Sequence, residues 1–356
     1  MKQWVLPMFG ALIFPVLFCF SPEPAEARSL DFRKLEQHSI RNHDTTGISL
    51  SEPVRIWTST RRLNFLETGQ LHGELLWAVT DDHTILLNRG RSPSAVTSGI
   101  TKTMDGTIVS MDLHPLPKQL EAVLLSVVHK YSNQLLSTLY YVRYSEGELS
   151  LDRYRQIPLK AVRPVGGFLY QQRYDPARLW YSNVNRLRTS TGEFSVAQTV
   201  SAPENSRLLS MTALGNRRFV TLDKNGNLRL LEEGVILDNV DGDFGHSPLA
   251  VYPRGDRVQP EPVRIPPAWL PKRKLVVTVN NPDQTGGIQN WVFSGPNQTR
   301  LRVFRLQNKE LRPVASTEFY PGIITDLEVS TFNSDQVIWI RRSDNSTFFE
   351  VLDFSR

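Results

Sequence analysis

Phe219-Val-Thr-Leu-Asp-Lys-Asn-Gly-Asn-Leu-Arg-Leu-Leu231 decides the fold. Two apolar runs of alternating character flank a polar turn. Asn225-Gly226 at its centre tolerates the positive φ angles that a type I′ hairpin requires. The same rhythm returns in Trp77-Ala-Val-Thr-Asp-Asp-His-Thr-Ile-Leu-Leu87 and in Val337-Ile-Trp-Ile-Arg-Arg-Ser-Asp-Asn-Ser-Thr-Phe-Phe-Glu-Val-Leu352. Short period-2 runs bounded by Asp, Asn, Gly and Ser are strands, and their recurrence predicts a repetitive all-β body.

Anchors of this pattern begin near Trp77, Ala122, Gly167, Arg218, Lys274 and Gln336, with spacings that rise from about 45 to about 60 residues. The shorter spacings match a four-stranded propeller blade, and the longer ones suit blades with extended loops. The expected fold is therefore an all-β propeller of six or seven four-stranded blades over residues 53–356. Radial repetition buries each blade face and leaves only short edges, which favours this closure over a pair of β-sandwiches. Ala122 to Val128 is apolar apart from Ser126, as expected of a strand covered on both faces. Pro260 to Pro271 holds five prolines and reads as a connector, because proline cannot donate to an internal sheet ladder.

Residues 1–27 read as a secretory signal peptide. Lys2 supplies the basic start, Val5 to Phe20 the apolar stretch, and Ala25-Glu26-Ala27 the small-x-small cleavage site. Residues 28–52 are an irregular polar lead. The expected compartment is a bacterial periplasm or cell surface, with no membrane span left after cleavage. Cys19 is the chain's one cysteine and lies in that signal, so the mature chain has no disulfide, thiol nucleophile or thiolate metal site.

The net charge of +5 comes from dispersed residues, with short clusters at Arg61-Arg62, Lys272-Arg273-Lys274 and Arg341-Arg342. Nucleic-acid binders concentrate charge on one face. A solvated surface accounts better for these clusters, and no nucleic-acid partner is expected.

The order of features resembles the bacterial FG-GAP/VCBS repeat proteins, whose propeller is similar to the integrin α-chain head. Ile108-Val-Ser-Met-Asp112 followed by Glu121-Ala-Val-Leu-Leu-Ser126 keeps the repeat frame, and Ile324-Thr-Asp326 before Gln336-Val-Ile-Trp-Ile340 keeps it more loosely. The resemblance implies a propeller with calcium loops. In this chain the corresponding loops, Leu113 to Leu120 and Ala213 to Arg218, lack the carboxylates that calcium's six to eight oxygen ligands demand.

The most metal-like stretch is Asp238-Asn-Val-Asp241-Gly-Asp243-Phe-Gly-His246, where Asp238, Asp241 and Asp243 form a weak calcium candidate. Phe244 stands where the EF-hand frame needs glycine, and a polar loop bonding its own backbone is the plainer reading. Otherwise no cofactor is expected. Asp223-Lys-Asn225-Gly-Asn227 and Asp81-Asp82 read as turns. His38, His43 and Asp44 read as a surface group in the lead. Gly245-His-Ser247-Pro-Leu249 fails the nucleophile-elbow pattern, and no phosphate loop or H-E-x-x-H is present.

The function expected from these features is an exported, monomeric, non-catalytic propeller scaffold that binds a protein or glycan partner in the cell envelope. The alternative is a glycan hydrolase or lyase of propeller type, with carboxylates such as Asp81, Asp112, Asp223 and Asp326 converging at the central channel. Whether the channel is lined by carboxylates or by neutral side chains separates the two.

Overall fold

The computed structural model describes residues 48, 50–71, 74–89, 100–116, 120–129, 132, 134–145, 148–175, 179–190, 193–200, 203, 206–215, 217–251, 261–281, 298–331, 333–343 and 346–354. The signal peptide, His38, His43, Asp44 and the segment around Trp291 lie outside them.

Six four-stranded antiparallel sheets follow one another along the chain as six blades. Blade 1 comprises Phe65–Leu71, Glu74–Thr80, Thr84–Arg89 and Ile100–Thr103. Blade 2 comprises Thr107–Leu116, Leu120–Val128, Leu135–Ser145 and Glu148–Pro158. Blade 3 runs through Lys160–Val165, Phe168–Asp175, Leu179–Ser190 and Glu193–Val200. Blade 4 runs through Met211–Gly215, Arg218–Leu222, Leu228–Glu232 and Val235–Val240. Blade 5 contains Ala268–Leu270, Leu275–Asn280, Gln298–Gln307 and Glu310–Ser316. Blade 6 takes Ile323–Val329, Gln336–Ser343 and Ser346–Asp353 from the end of the chain and Val54–Ser59 from near its start. That outer strand pairs antiparallel with Ser346–Asp353, from Val54↔Val351 to Ser59↔Thr347, and closes the ring.

The first strand of each blade packs against the first strands of both neighbouring blades, so these six strands wall a central channel. Burial follows the same radial order. Leu76 to Thr80 of blade 1 and Val337 to Arg341 of blade 6 are buried throughout, whereas Val235 on the outer strand of blade 4 is 62 % exposed. The buried run Val123 to Val128 includes Ser126, whose Oγ lies 2.9 Å from Ser137 Oγ. Ser137 in turn donates to Lys160 O in blade 3 at 2.8 Å, so the polar residue in the apolar run serves an inter-blade bond.

All six sequence anchors fall on, or one residue before, the second strand of a blade, which gives six blades instead of seven. The Phe219–Leu231 turn differs from the type I′ expectation. Gly226 N donates to Asp223 O at 3.0 Å, Asp223 N donates to Asn227 O at 3.1 Å, and of the dipeptide only Gly226 has positive φ, +85°. The loop is thus a type I turn followed by a left-handed glycine. The Asp223 carboxylate replaces the second positive-φ residue by accepting from Asn225 N and Asn227 N, each at 2.9 Å. A Cβ on Gly226 would lie 2.9 Å from Phe244 N and from Arg264 Nη1. Gly226→Ala is expected to cost at least about 1–2 kcal/mol from the left-handed backbone alone, and urea denaturation with an unchanged midpoint would contradict this.

The proline-rich segment is a second departure. It carries Glu261–Arg264, which pairs with His246–Val251 in a two-stranded hairpin, and Ala268–Leu270, the first strand of blade 5. Both are edge strands, so the prolines leave no internal ladder position empty. This hairpin emerges between blades 4 and 5 and packs against the first strands of blades 6 and 2 and the turn Leu208–Ser210. It therefore lies across the end of the channel where the first strands begin. Asn281 anchors it there, donating to His246 O at 2.5 Å and Ile324 O at 2.7 Å.

The clusters read as solvated surface also divide. Arg341 is 4 % exposed because Glu350 pairs with it across the blade 6 ladder, and Arg342 donates to Asn64 Oδ1 at 2.6 Å.

Candidate functional site

Five charged side chains from four first strands meet inside the channel: Glu67 of blade 1, Asp112 of blade 2, Arg163 of blade 3, and Asp326 and Glu328 of blade 6. All five border a cavity of about 240 Å³ that extends toward the hairpin. Except for Asp326, they also border a cavity of about 550 Å³ at the opposite mouth, together with Gln70, His114, Gly166, Gly167 and Thr331. Strand periodicity explains the gathering. Ser110, Asp112 and His114 are two residues apart and share one face of their strand, as do Asp326 and Glu328 of theirs. A β-bulge precedes each set, between Ile108 and Ser110 and between Ile324 and Asp326, where an inserted residue resets which parity faces the channel.

The charges hold the ring together. Arg163 Nε donates to Asp112 Oδ1 at 2.7 Å, and its Nη1 donates to Leu209 O at 2.9 Å and Met211 O at 3.3 Å, so one guanidinium joins blades 2, 3 and 4. Asp326 Oδ2 accepts from Leu66 N at 2.7 Å and joins blade 6 to blade 1. Glu328 Oε2 accepts from Thr68 N at 3.3 Å, a second bond from blade 6 to blade 1, while its Oε1 is buried without a hydrogen-bond partner.

Burial sets the protonation. Desolvation lifts Glu67 well above the usual carboxylate range, and the neighbouring Glu328, Asp112 and Asp326 charges add to it. Glu328 is likewise raised, by burial first. Asp326 is pushed up to about 7 by burial despite its two backbone donors. Asp112 is raised by burial against the pull of Arg163. His114 is lowered by burial, which keeps its imidazole neutral.

The bonds are incomplete on the face of blade 2. Ser110 Oγ, Asp112 Oδ2 and His114 Nδ1 are buried without a hydrogen-bond partner, on residues 8 %, 4 % and 9 % exposed. Buried polar atoms are normally satisfied, and three orphans along one strand face mark a place where water or a ligand completes the set. A larger surface cleft of about 920 Å³ between blades 3 and 4, lined by Phe168, Arg186, Phe219 and Trp269, contains none of the orphaned atoms. The channel is the stronger site.

Of the carboxylates named from the sequence, Asp112 and Asp326 reach the channel and the other two do not. Asp81 accepts from His83 N and Thr84 N and from Arg61, and Asp82 accepts from Asn64 Nδ2, so both are turn residues. Asp223 caps its own hairpin and pairs with Arg229 at 2.7 Å. The calcium candidate is not gathered around a point. Asp238 Oδ2 accepts from Leu311 N at 2.6 Å, Asp241 Oδ1 from Asn239 Nδ2 at 2.8 Å, and Asp243 Oδ1 from Arg264 Nη1 at 2.6 Å. Among the described residues no group of three or more Asp, Glu, His or Cys is arranged to hold a metal ion. Glu67, His114, Arg163 and Glu328 do not stand out in the sequence. The signal available was polar residues at alternate positions inside otherwise apolar strands.

No protein-family model and no curated protein sequence matches the chain. Solved structures similar to it include the WD40 β-propeller domain of Doa1, 12 % identical, with TM-score 0.41, covering 84 % of this chain and 97 % of that one. A chain of a mitotic checkpoint complex is 10 % identical with TM-score 0.42, covering 96 % and 98 %. An oxidoreductase described as a glucose dehydrogenase from Thermus thermophilus is 14 % identical with TM-score 0.47, covering 85 % and 100 %. Among the described residues no helix is long and apolar enough to cross a membrane.

Proposed function

We propose that this chain is an exported, monomeric, non-catalytic binding propeller of the bacterial cell envelope, and that its partner inserts a polar group into the open mouth of the channel. The observation that carries this reading is the ladder of orphaned polar atoms on Ser110, Asp112 and His114 in a walled cavity. The blades and the buried bonds between them hold those atoms rigidly, so little ordering remains to be done on binding. The likeness to FG-GAP/VCBS repeat proteins belongs to this reading as a matter of blade rhythm.

Hydrolysis of glycans is the weaker reading, although the channel is acidic. Asp112 Oδ1 is held by Arg163 and Asp326 accepts from Leu66 N and Leu327 N, so the two carboxylates named from the sequence serve as bonds within the ring. Gln70 sits exposed at the mouth, and tryptophan there would obstruct it without entering the buried ring. In a pull-down from envelope extract, a partner retained by the wild-type chain is expected to be lost with Gln70→Trp. Equal retention by both would place recognition elsewhere on the disc.

A further inference from the structure

The ligand's chemistry can be read from the donors and acceptors that the site leaves over. Asp112 Oδ2 is an acceptor with no donor, on a side chain whose other oxygen is already taken by Arg163. A buried neutral His114 offers an acceptor nitrogen in one tautomer, and its Nδ1 is unpartnered. Glu328 Oε1 is likewise buried without a partner, beside the Glu67 carboxyl. Around the mouth cavity three carboxyl groups, Glu67, Asp112 and Glu328, face one guanidinium, Arg163, so the mouth is short of positive charge and of N–H donors, not of acceptors.

We infer that the channel mouth binds a primary ammonium group on a slender aliphatic arm, held by Asp112 Oδ2, His114 Nδ1 and the Glu67–Glu328 pair. The inference rests on the channel mouth being the binding site. A protonated amine has three donors to offer, matching Asp112 Oδ2 and His114 Nδ1 on blade 2 and the Glu67 and Glu328 carboxyls on blades 1 and 6. A guanidinium would instead duplicate Arg163, whose planar fork already fills the side facing blades 3 and 4. Beyond the ring Phe65, Met111, Val165, Met211 and Val263 line the smaller cavity, an apolar wall poor for a hydrated ion.

Binding exchanges a cation for a proton. When the ammonium arrives, a proton held by the Glu67 and Glu328 carboxyls, both raised by burial, leaves to solvent, and the amine's charge replaces it. The titratable and charged groups facing the site from the described elements are Glu67, Asp112, His114, Arg163, Asp326 and Glu328. Arg264 of the hairpin also borders the lower cavity but is engaged by Asp243, Phe244 O and Lys224 O. Blades 4 and 5 contribute Thr212 and Trp269 to that lining, neither of which titrates near neutrality. Affinity should therefore rise from pH 6 to pH 8 as the carboxyl pair gives up its proton more readily.

Titration calorimetry of the purified chain tests this with n-butylamine, 1,4-diaminobutane, a lysine-bearing peptide, trimethylbutylammonium, glucosamine and calcium chloride. Butylamine is expected to bind with release of protons, shown by heats that change with the buffer's ionisation enthalpy. Trimethylbutylammonium, which has the charge without the N–H donors, should bind roughly 10- to 100-fold more weakly, as should butylamine to Asp112→Asn. A lysine peptide binding more tightly than the free amines would identify a protein side chain as the source, and the reverse would identify a small amine. Equal binding of the trimethyl analogue, binding of calcium in place of amines, or binding of glucosamine without butylamine would each overturn the inference. Because the methylation series uses wild-type protein, it holds even if Asp112→Asn fails to fold. If no amine binds but the envelope partner is still lost with Gln70→Trp, the binding site stands and the ammonium reading falls. If partner capture also ignores Gln70→Trp, both fall.

Discussion

Glu350→Ala is expected to destabilise the fold by about 3–5 kcal/mol, the scale for removing one partner of a buried ion pair. Glu350 is 4 % exposed on the third strand of blade 6, and its carboxylate accepts from Arg341 Nε at 2.9 Å and Nη2 at 2.5 Å and from Trp339 Nε1 at 3.0 Å. Truncation would strand a guanidinium that is itself only 4 % exposed and leave the indole N–H unpaired. The remaining contact of Arg341 Nη1 with Pro321 O, and the nearby Phe348 and Tyr320 rings, cannot neutralise its charge. The damage also falls at the seam, since Arg55 of the closing strand pairs with Glu350 in the ladder. At roughly 2–4 °C per kcal/mol in domains of 150–250 residues, the melting temperature should drop on the order of 10 °C. A drop of less than 2 °C in differential scanning calorimetry would show that the pair adds nothing. Glu350→Gln, which keeps an acceptor for Trp339, should recover part of the loss.

The second large effect is a fall in stability as pH rises, opposite in sign to ordinary acid denaturation. A carboxyl raised in the folded state binds protons that the unfolded chain has already released. Between the unfolded and folded values the native state therefore holds more protons, and stability declines with increasing pH. For Asp326 that window runs from the usual value near 3.8 to about 7, equivalent to about 4 kcal/mol at most. Glu67 and Glu328 extend the decline upward, because both are raised well above the usual range. The double variant Glu67→Gln, Glu328→Gln removes two of these ionisations. Its advantage over wild type in urea denaturation should grow steadily from pH 5 to pH 8, and a difference constant with pH would refute the assignment.

The fold could be read from the chain because the middle stretches of the second strands are buried on both faces and hydrogen-bonded on both edges. They must be continuously apolar, as Val337 to Ile340 and Val123 to Leu125 are, and their turns must be polar. First strands are harder to see. Ala268–Leu270 is three residues long and bounded by prolines, and Thr107–Leu116 interrupts its apolar run with Ser110, Asp112 and His114. Those interruptions mark the site, yet in one dimension they resemble surface positions. Only the ring places Asp112, Glu67 and Glu328 beside one another. Asp223 and Asp81 carry the same functional group and stand as prominently in the sequence, but their neighbours in the chain offer N–H groups that consume them. Arg341 misleads for a related reason. A doublet of arginines looks solvated until a strand 9 residues away supplies a buried carboxylate.

The seam of blade 6 has a kinetic corollary. Leu63 N donates to Thr347 Oγ1 and Thr347 Oγ1 to Arg61 O across 284 and 286 residues of sequence, so these bonds form only after almost everything between them has been synthesised. The earliest strand must wait, unpaired and sticky-edged, while five later sheets assemble, and topologies dominated by such distant pairings fold slowly. A ribosome stalled before residue 346 would therefore hold a chain with most of its sheets and no closed disc, vulnerable to proteolysis at the one place where the finished molecule is fastened.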